Sequence, residues 1–153
     1  MSKILNQGGF GCIYFPGINC QGTKSQNKNI VTKLQKNTIT AQNEIEIGEI
    51  ISTIEDYISY FNPVIKNCFI NLSEINSETL KDCDVIKSGD ELNYILLEIP
   101  YINGSEFLSF MSLLSNKQEI LFNLIETYQY LSHSLEILLE KEIVHFDLKS
   151  ENI

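Results

Sequence analysis

The sequence predicts an α+β fold in which five antiparallel strands pack against one helix and a mostly helical second part follows. Two observations predict it. Short apolar, β-branched and aromatic segments dominate residues 1–102, and one segment among them has the three- and four-residue apolar spacing of a helix. From residue 103 the pattern is two helices and a loop. We therefore expect two parts, residues 1–102 and residues 103–153.

The first three strands are predicted around a glycine-rich turn. Residues 3–15 have the pattern strand, glycine turn, strand, and the apolar run "CIYF" is typical of a buried strand. A polar connection, "PGINCQGTKSQNK", precedes the third strand, "NIVTKLQ". Period-two alternation places Val31 and Lys33 on the same face of that strand. "FINLSEI" and "NYILLEI" predict the last two strands, with a polar loop between them.

The first helix is predicted from Ala41 to about Tyr60, and Pro63 follows its end. Its helical spacing is set by four isoleucines: Ile47, Ile50, Ile51 and Ile54. "EFLSFMSLL" predicts a short helix in the second part.

The last helix is the longest, with Asn116 as its N-cap and Glu119 as the capping-box partner. One apolar stripe follows, which predicts a buried helix of about six turns: Ile120, Leu121, Leu124, Ile125, Tyr128, Leu131, Leu135, Leu138 and Leu139.

Composition limits the kinds of partner. The chain has 153 residues, a net charge of −9 and a hydrophobic fraction of 43%, which is enough for a packed core. An acidic chain with no arginine is a poor match for nucleic acid or an anionic membrane. No apolar run reaches the ~18 residues that a membrane span needs. We expect neither a nucleic acid nor a membrane as partner.

The four cysteines, Cys12, Cys20, Cys68 and Cys83, form no C-x-x-C pair, and neither histidine lies near one of them. This spacing argues against a zinc site. The cysteines could form disulfides, but the start of the chain has no apolar core of signal-peptide length. We therefore expect free thiols and a soluble protein in a reducing, cytoplasmic compartment.

Three features of residues 1–102 could bind phosphate. Gly8, Gly9 and Gly11 lie between two strands, where backbone N–H groups could approach a phosphate, although a plain hairpin turn explains them equally well. Lys33 in an apolar strand needs an anionic partner unless it faces solvent from an edge strand. Glu44 lies on the inward face of the first helix and is a natural partner for it, although an acid there is more often the border of an amphipathic helix.

The fourth feature is "IVHFDLKSENI" at the end of the chain. Asp147 could accept a hydroxyl proton, Lys149 could neutralise charge on a transferred group, and Asn152 could bind magnesium. The ordered set D-x-K-x-x-N after an apolar-apolar-His triplet is a strong signal for phosphoryl transfer.

Taken together, these stretches resemble the N-terminal half of a eukaryotic-type Ser/Thr protein kinase domain. "NQGGFGCIY" is similar to the glycine-rich loop, "IVTK" to the strand with the ATP lysine, and "NEIEIGEII" to the regulatory helix. "YILLEIPYINGSEF" is similar to the fifth strand and hinge, and "IVHFDLKSENI" to the catalytic loop. The segment after the glycine loop, "FPGINC", resembles that of kinases of large DNA viruses.

The resemblance implies ATP and Mg²⁺ as cofactors and a role for each matched residue. The residues implied to contact ATP are Leu5, Gly8, Gly9, Phe10, Gly11, Ile13, Val31, Lys33, Tyr101 and Ile102, with the hinge within Glu98–Ile102. Lys33 would hold the α- and β-phosphates and pair with Glu44. Asp147 would be the base, Lys149 would lie by the γ-phosphate, and Asn152 would bind a magnesium ion. A lysine at position 149 favours the Ser/Thr type, whose partner is a protein substrate.

The sequence departs from the family pattern in several places. Asn6 replaces the first loop glycine, and the separation of Lys33 from Glu44 is shorter than usual. His145 would brace the catalytic loop, but Phe146 replaces the arginine that follows it in the family, so control by a phosphorylated activation loop is not expected.

The Asp-Phe-Gly motif, activation segment and substrate platform of the family would follow the last residue, Ile153. We therefore expect a truncated domain that does not phosphorylate protein substrates alone, located in a host cytoplasm or a virion. Two alternatives stay open: a kinase-like binding module without catalysis, and a small-molecule phosphotransferase of related fold.

Overall fold

The computed structural model describes residues 2–86 and 93–149. The chain divides into two compact units, Met1–Ile102 and Asn103–Ile153, and each is described by itself. Among the described residues, no helix is both long and apolar enough to span a bilayer.

A five-stranded antiparallel sheet forms the first unit, so the predicted α+β fold with this sheet is confirmed. Its strands are β1 (Lys3–Gly8), β2 (Gly11–Phe15), β3 (Ile30–Lys36), β4 (Lys66–Ile70) and β5 (Tyr94–Pro100). Their order across the sheet is β1-β2-β3-β5-β4. β3 therefore lies at the centre, where Lys33 pairs with Ile13 on one side and Leu97 on the other.

One face of the sheet, here called the helix face, packs against the first helix, α1 (Ile39–Ile51). Alternation along the strands places these side chains on the helix face: Ile13, Val31, Lys33, Gln35, Ile95, Leu97 and Ile99. Ala41 and Ile45 of α1 are buried against Ile95 and Leu97, which fixes the helix over β5. The predicted packing of this helix on the sheet is confirmed.

The prediction that α1 continues to about Tyr60 is wrong, because the helix ends at Ile51. Beyond it, the hydroxyls of Ser52 and Thr53 donate to backbone carbonyls of the last turn at 2.8 and 2.7 Å. Asp56 then has a φ of 53°, a left-handed conformation that cannot continue an α-helix. Local side-chain bonds to the backbone therefore compete with the helix and stop it before Pro63 is reached.

The buried stripe of α1 also differs from the predicted one. It consists of Ala41, Ile45, Gly48 and Ile51. Ile47 and Ile50, two of the four isoleucines that set the predicted helical spacing, are exposed, because the face that meets the sheet is centred on Ala41, Ile45 and Gly48 instead.

The opposite face of the sheet, here called the outer face, carries the larger core. Its buried residues are Cys12, Tyr14, Ile18, Leu34, Ile70, Ile75, Cys83, Tyr94 and Leu96. Ile18, Ile75 and Cys83 come from two connecting segments, residues 16–29 and residues 71–86, which cover this face. In the second of these segments, Ser77–Leu80 forms a one-turn helix, α2.

The expectation of free thiols is wrong, because the structure pairs all four cysteines. Cys12 is bonded to Cys83, and Cys20 is bonded to Cys68. Folding brings these residues together from 71 and 48 positions apart, so no spacing rule along the chain could pair them. The reducing compartment from which free thiols were expected remains an untested prediction.

The fourth strand is displaced from its predicted position. β4 begins at Lys66 and ends at Ile70, and Leu72–Glu74 forms a turn of 3₁₀ helix where "FINLSEI" predicted strand. β4 pairs with five residues of β5, and the chain leaves the sheet where this pairing ends.

The second unit contains α3 (Phe107–Ser112) and α4 (Lys117–Glu140), as predicted. Asn116 is the N-cap of α4, and its side chain accepts a hydrogen bond from the Gln118 N–H at 2.9 Å. The predicted burial of the α4 stripe is wrong for most of its members. Those exposed are Leu121, Leu124, Ile125, Tyr128, Leu135 and Leu139. The six-residue α3 supplies too little apolar surface to cover a helix of 24 residues.

Candidate functional site

The centre of the candidate site is an ion pair between β3 and α1. The Nζ atom of Lys33 lies 2.7 Å from Oε1 and 2.8 Å from Oε2 of Glu44. The two side chains are 19% and 29% exposed, so the pair is largely withdrawn from water but still reachable. The predicted pairing is present, and the other acids of α1, Glu46 and Glu49, are exposed.

The position of this pair follows from local structure. Thr38 caps α1 by accepting a hydrogen bond from the Ala41 N–H, which starts the helix next to the end of β3. Glu44 lies one residue before the buried Ile45, at the edge of the face that meets the sheet. Lys33 lies on the helix face at the centre of the sheet, so the two side chains converge.

Gln35 is a third member of this cluster that the sequence analysis missed. It is 2% exposed, and its Nε2 donates to Glu44 Oε1 at 3.4 Å. The signal was available, because a glutamine two residues after Lys33 lies on the same face of an apolar strand and needs a partner there. Glu44 therefore receives bonds from two residues of β3.

An apolar surface lies beside the ion pair on the helix face. Ile13 of β2 lies opposite Lys33. Val31 lies two residues before Lys33 on β3 and is buried. At the end of this surface the rings of Phe15 and Tyr101 stack with centroids 4.3 Å apart. The structure therefore brings four predicted ATP-contacting residues, Ile13, Val31, Lys33 and Tyr101, to one face of the sheet, whereas Leu5 and Ile102 are exposed at its margins.

The glycine turn between β1 and β2 is built on Gly11. A Cβ atom at Gly11 would lie 2.6 Å from the Leu34 carbonyl oxygen, so only glycine allows β2 to approach β3 so closely. A Cβ atom at Gly8 or Gly9 would meet nothing within 4 Å. Phe10, between Gly9 and Gly11, is exposed. The turn therefore presents open backbone at its tip and a tightly packed base.

A hollow of about 600 Å³ lies beside the glycine turn, but it is not the Lys33 site. It is lined by Gln7, Gly8, Gly9, Lys36, Asp84 and Val85. Lys36 is three residues from Lys33 on the same strand, so its side chain lies on the outer face. The glycine turn thus borders both faces of the sheet.

The second unit holds the other candidate residues. Lys149 Nζ lies 3.0 Å from Asp147 Oδ2, and both side chains are exposed. "IVH" forms no strand, and His145 is exposed in a loop. Asn152 lies outside the described residues. Within residues 2–86 and 93–149, no cluster of three His, Cys, Asp or Glu side chains could hold a metal ion.

Comparison with protein-family models gives no match for this sequence, and comparison with curated proteins gives none either.

Proposed function

We propose that this chain carries the nucleotide-binding part and the catalytic loop of an ATP-dependent Ser/Thr protein kinase. The observation that supports it best is the Lys33–Glu44 ion pair, formed at the centre of an antiparallel sheet beside an apolar surface. A lysine held by a carboxylate on an adjacent helix is pre-oriented to bind the phosphates of a nucleotide.

The residues of the first unit fit ATP. Lys33 keeps part of its exposure and could bind the α- and β-phosphates without breaking its bonds to Glu44, because an ammonium has three donors. Ile13 and Val31 offer apolar surface to a planar base. The space beside Gly8 and Gly9, where a side chain would stand, is open and leaves room for a phosphate to approach the backbone.

The residues of the second unit suit transfer of the γ-phosphate to a protein hydroxyl. Asp147 would accept or orient the hydroxyl proton, and Lys149 would neutralise charge on the transferred group. Mg²⁺ would be held by Asn152 and would neutralise phosphate charge. The chemistry needs little covalent participation by the protein, so positioning of these groups is the main requirement.

The first test is nucleotide binding by the full 153-residue chain, measured by calorimetry with ATP and Mg²⁺. Lys33→Met should weaken binding by about tenfold or more, since a charge-assisted contact to phosphate is worth ~1.5–3 kcal/mol. Lys24→Met is the matched control, because it removes an equal charge from an exposed position in the segment that covers the outer face, and it should bind as the wild type does. Equal losses in both variants, or no binding by the wild type, would contradict the proposal.

A second measurement separates the proposal from its alternatives. Labelled ATP is supplied with protein acceptors and, separately, with small-molecule alcohols, both to the 153-residue chain, which alone should transfer no label to protein, and to the same chain extended through any downstream reading frame. Label that appears on protein and is lost in Asp147→Asn supports the kinase. Label on the small alcohols alone favours the phosphotransferase of related fold. ATP binding by the extended chain without any transfer of label favours the non-catalytic module.

A further inference from the structure

Each disulfide joins the sheet to one of the segments that cover its outer face. Cys12 of β2 is bonded to Cys83 in residues 71–86, and Cys68 of β4 is bonded to Cys20 in residues 16–29. The two covering segments also contact each other, since a Cβ at Gly22 would overlap the Glu74 carbonyl. The cover is therefore attached to the sheet by two covalent bonds at different places.

The Cys12–Cys83 bond is attached directly to the glycine turn. Cys12 follows Gly11 and pairs in register with Gln7 at the other side of the turn. Gln7 and Asp84 exchange two hydrogen bonds: Gln7 Nε2 donates to Asp84 Oδ2 at 2.8 Å, and the Asp84 N–H donates to Gln7 Oε1 at 3.3 Å. Gln7 Oε1 also contacts Cys12 Sγ at 3.6 Å. Both strands that flank the turn are thus attached to residues 83 and 84.

The two disulfides differ in accessibility. Cys12 and Cys83 are 0% and 3% exposed, whereas Cys20 and Cys68 are partly exposed. Cys20 also lines an open hollow of about 450 Å³. Thiol–disulfide exchange requires a thiolate to reach a sulfur atom, so the Cys20–Cys68 bond is the more open to attack.

We propose that the Cys12–Cys83 disulfide is a redox site whose reduction loosens the glycine turn, with a dithiol reductant as its co-substrate. Because this bond is buried, a thiolate reaches it only after the more open Cys20–Cys68 bond has been reduced and the covering segments have loosened. One thiolate of the reductant then attacks Cys12 or Cys83, the S–S bond breaks, and a mixed disulfide forms. The second thiolate of the reductant resolves it. The protein gains two electrons and two protons as two cysteine thiols, and the reductant leaves as a disulfide.

Reduction changes what holds the turn. With the covalent bond gone, residues 83–86 are held near the turn by the exposed Gln7–Asp84 bonds, which are weak in water. The turn then samples more conformations. Reduction of Cys20–Cys68 has no such effect, because Cys68 belongs to β4, which lies at the opposite edge of the sheet from β1 and the turn.

The first experiment follows stepwise reduction of the full chain by dithiothreitol, with N-ethylmaleimide trapping and peptide mass mapping. Cys20 and Cys68 should be alkylated first, and Cys12 and Cys83 only at higher dithiothreitol or longer times. Simultaneous labelling of all four cysteines, or labelling of all four before any reductant is added, would overturn the proposal.

The second experiment compares amide hydrogen exchange in residues 7–11 between the oxidised wild type and two matched variants. Cys12→Ser/Cys83→Ser should exchange faster there by about fivefold or more, and Cys20→Ser/Cys68→Ser should not. Should the first variant not fold, Asp84→Ala in the oxidised chain replaces it and should give a smaller increase at the same amides. Unchanged exchange in residues 7–11 when the Cys12–Cys83 bond or Asp84 is removed would refute the coupling.

Any effect on nucleotide binding rests on the proposed function, whereas the redox site does not. The two proposals can therefore fail separately. If the chain binds ATP, Cys12→Ser/Cys83→Ser should change its affinity more than Cys20→Ser/Cys68→Ser does. If no variant binds ATP, the proposed function fails while the alkylation order and the exchange data still decide the redox site.

Discussion

Removing the Lys33–Glu44 ion pair should cost the first unit measurable stability, and the structure sets the size of the effect. At 2.7 Å and an effective dielectric constant of about 20, the attraction between two unit charges is about 6 kcal/mol. Most of it is offset by lost hydration, because the side chains are only 19% and 29% exposed. Exposed pairs contribute up to ~1 kcal/mol, and loss of one partner of a buried pair costs ~3–5 kcal/mol. We therefore expect a coupling energy of about 1–2 kcal/mol.

The assay is a double-mutant cycle of Lys33→Met and Glu44→Gln, with free energies of unfolding taken from urea titrations under oxidising conditions. Lys66 and Glu98 provide the control on the same sheet, since their charged atoms are 3.9 Å apart and Lys66 is mostly exposed. Their coupling should stay below about 0.5 kcal/mol. A Lys33–Glu44 coupling no larger than that of the control would refute the reasoning.

Three further outcomes are expected. Gly11→Ala should destabilise the chain by about 2 kcal/mol or more through its clash with β3, whereas Gly9→Ala, in open space, should change the free energy of unfolding by less than about 0.5 kcal/mol; equal effects would contradict the assigned packing. Asn116→Ala should remove the N-cap of α4 and cost about 1 kcal/mol, detected as a lower midpoint of helix melting by circular dichroism. Burial, and secondarily the charge of Asp82, raises the pKa of Tyr14 to about 12, so one tyrosine should ionise late in an ultraviolet titration. Because that pKa is higher folded than unfolded, its contribution to stability is complete below about pH 10 and is lost as the pH rises toward 12; a Tyr14→Phe variant should lack this loss.

Local patterns predicted the elements whose boundaries depend on local forces. β5 is a central strand with an apolar run, β3 begins with Ile30 and Val31, and α4 follows the N-cap Asn116, so all three were visible in the sequence. The Lys33–Glu44 contact was predictable because a charge on an inward strand face needs an opposite charge, and the adjacent helix carries one. Gln35 was missed because an uncharged side chain gives a weaker signal than a lysine.

Features that depend on tertiary contacts were predicted poorly. The end of α1 is set by hydroxyl-to-carbonyl bonds at Ser52 and Thr53, which compete with a helical pattern that continues through Ile54. The disulfides join residues that only the folded sheet brings together. The exposed stripe of α4 shows that apolar periodicity predicts a helix face but not what covers it.

The nesting of the two disulfides has a consequence for the unfolded chain. The Cys20–Cys68 loop lies inside the Cys12–Cys83 loop along the sequence. By itself, closing the outer loop of 71 residues would raise the free energy of the unfolded state by about 4 kcal/mol at room temperature, because the chain loses entropy. Once the inner bridge has closed, the free path of the outer loop shortens to about 23 residues, and the outer bridge then contributes only about 3 kcal/mol.

The two bridges therefore contribute less together than the sum of their separate effects. All of this restriction falls on the first unit, because residues 103–153 contain no cysteine. In denaturant without reductant, the unfolded first unit stays a compact, doubly looped chain, while the second unit expands as a linear one. The free energy of unfolding, per residue, should therefore fall less steeply with denaturant concentration in the first unit than in the second.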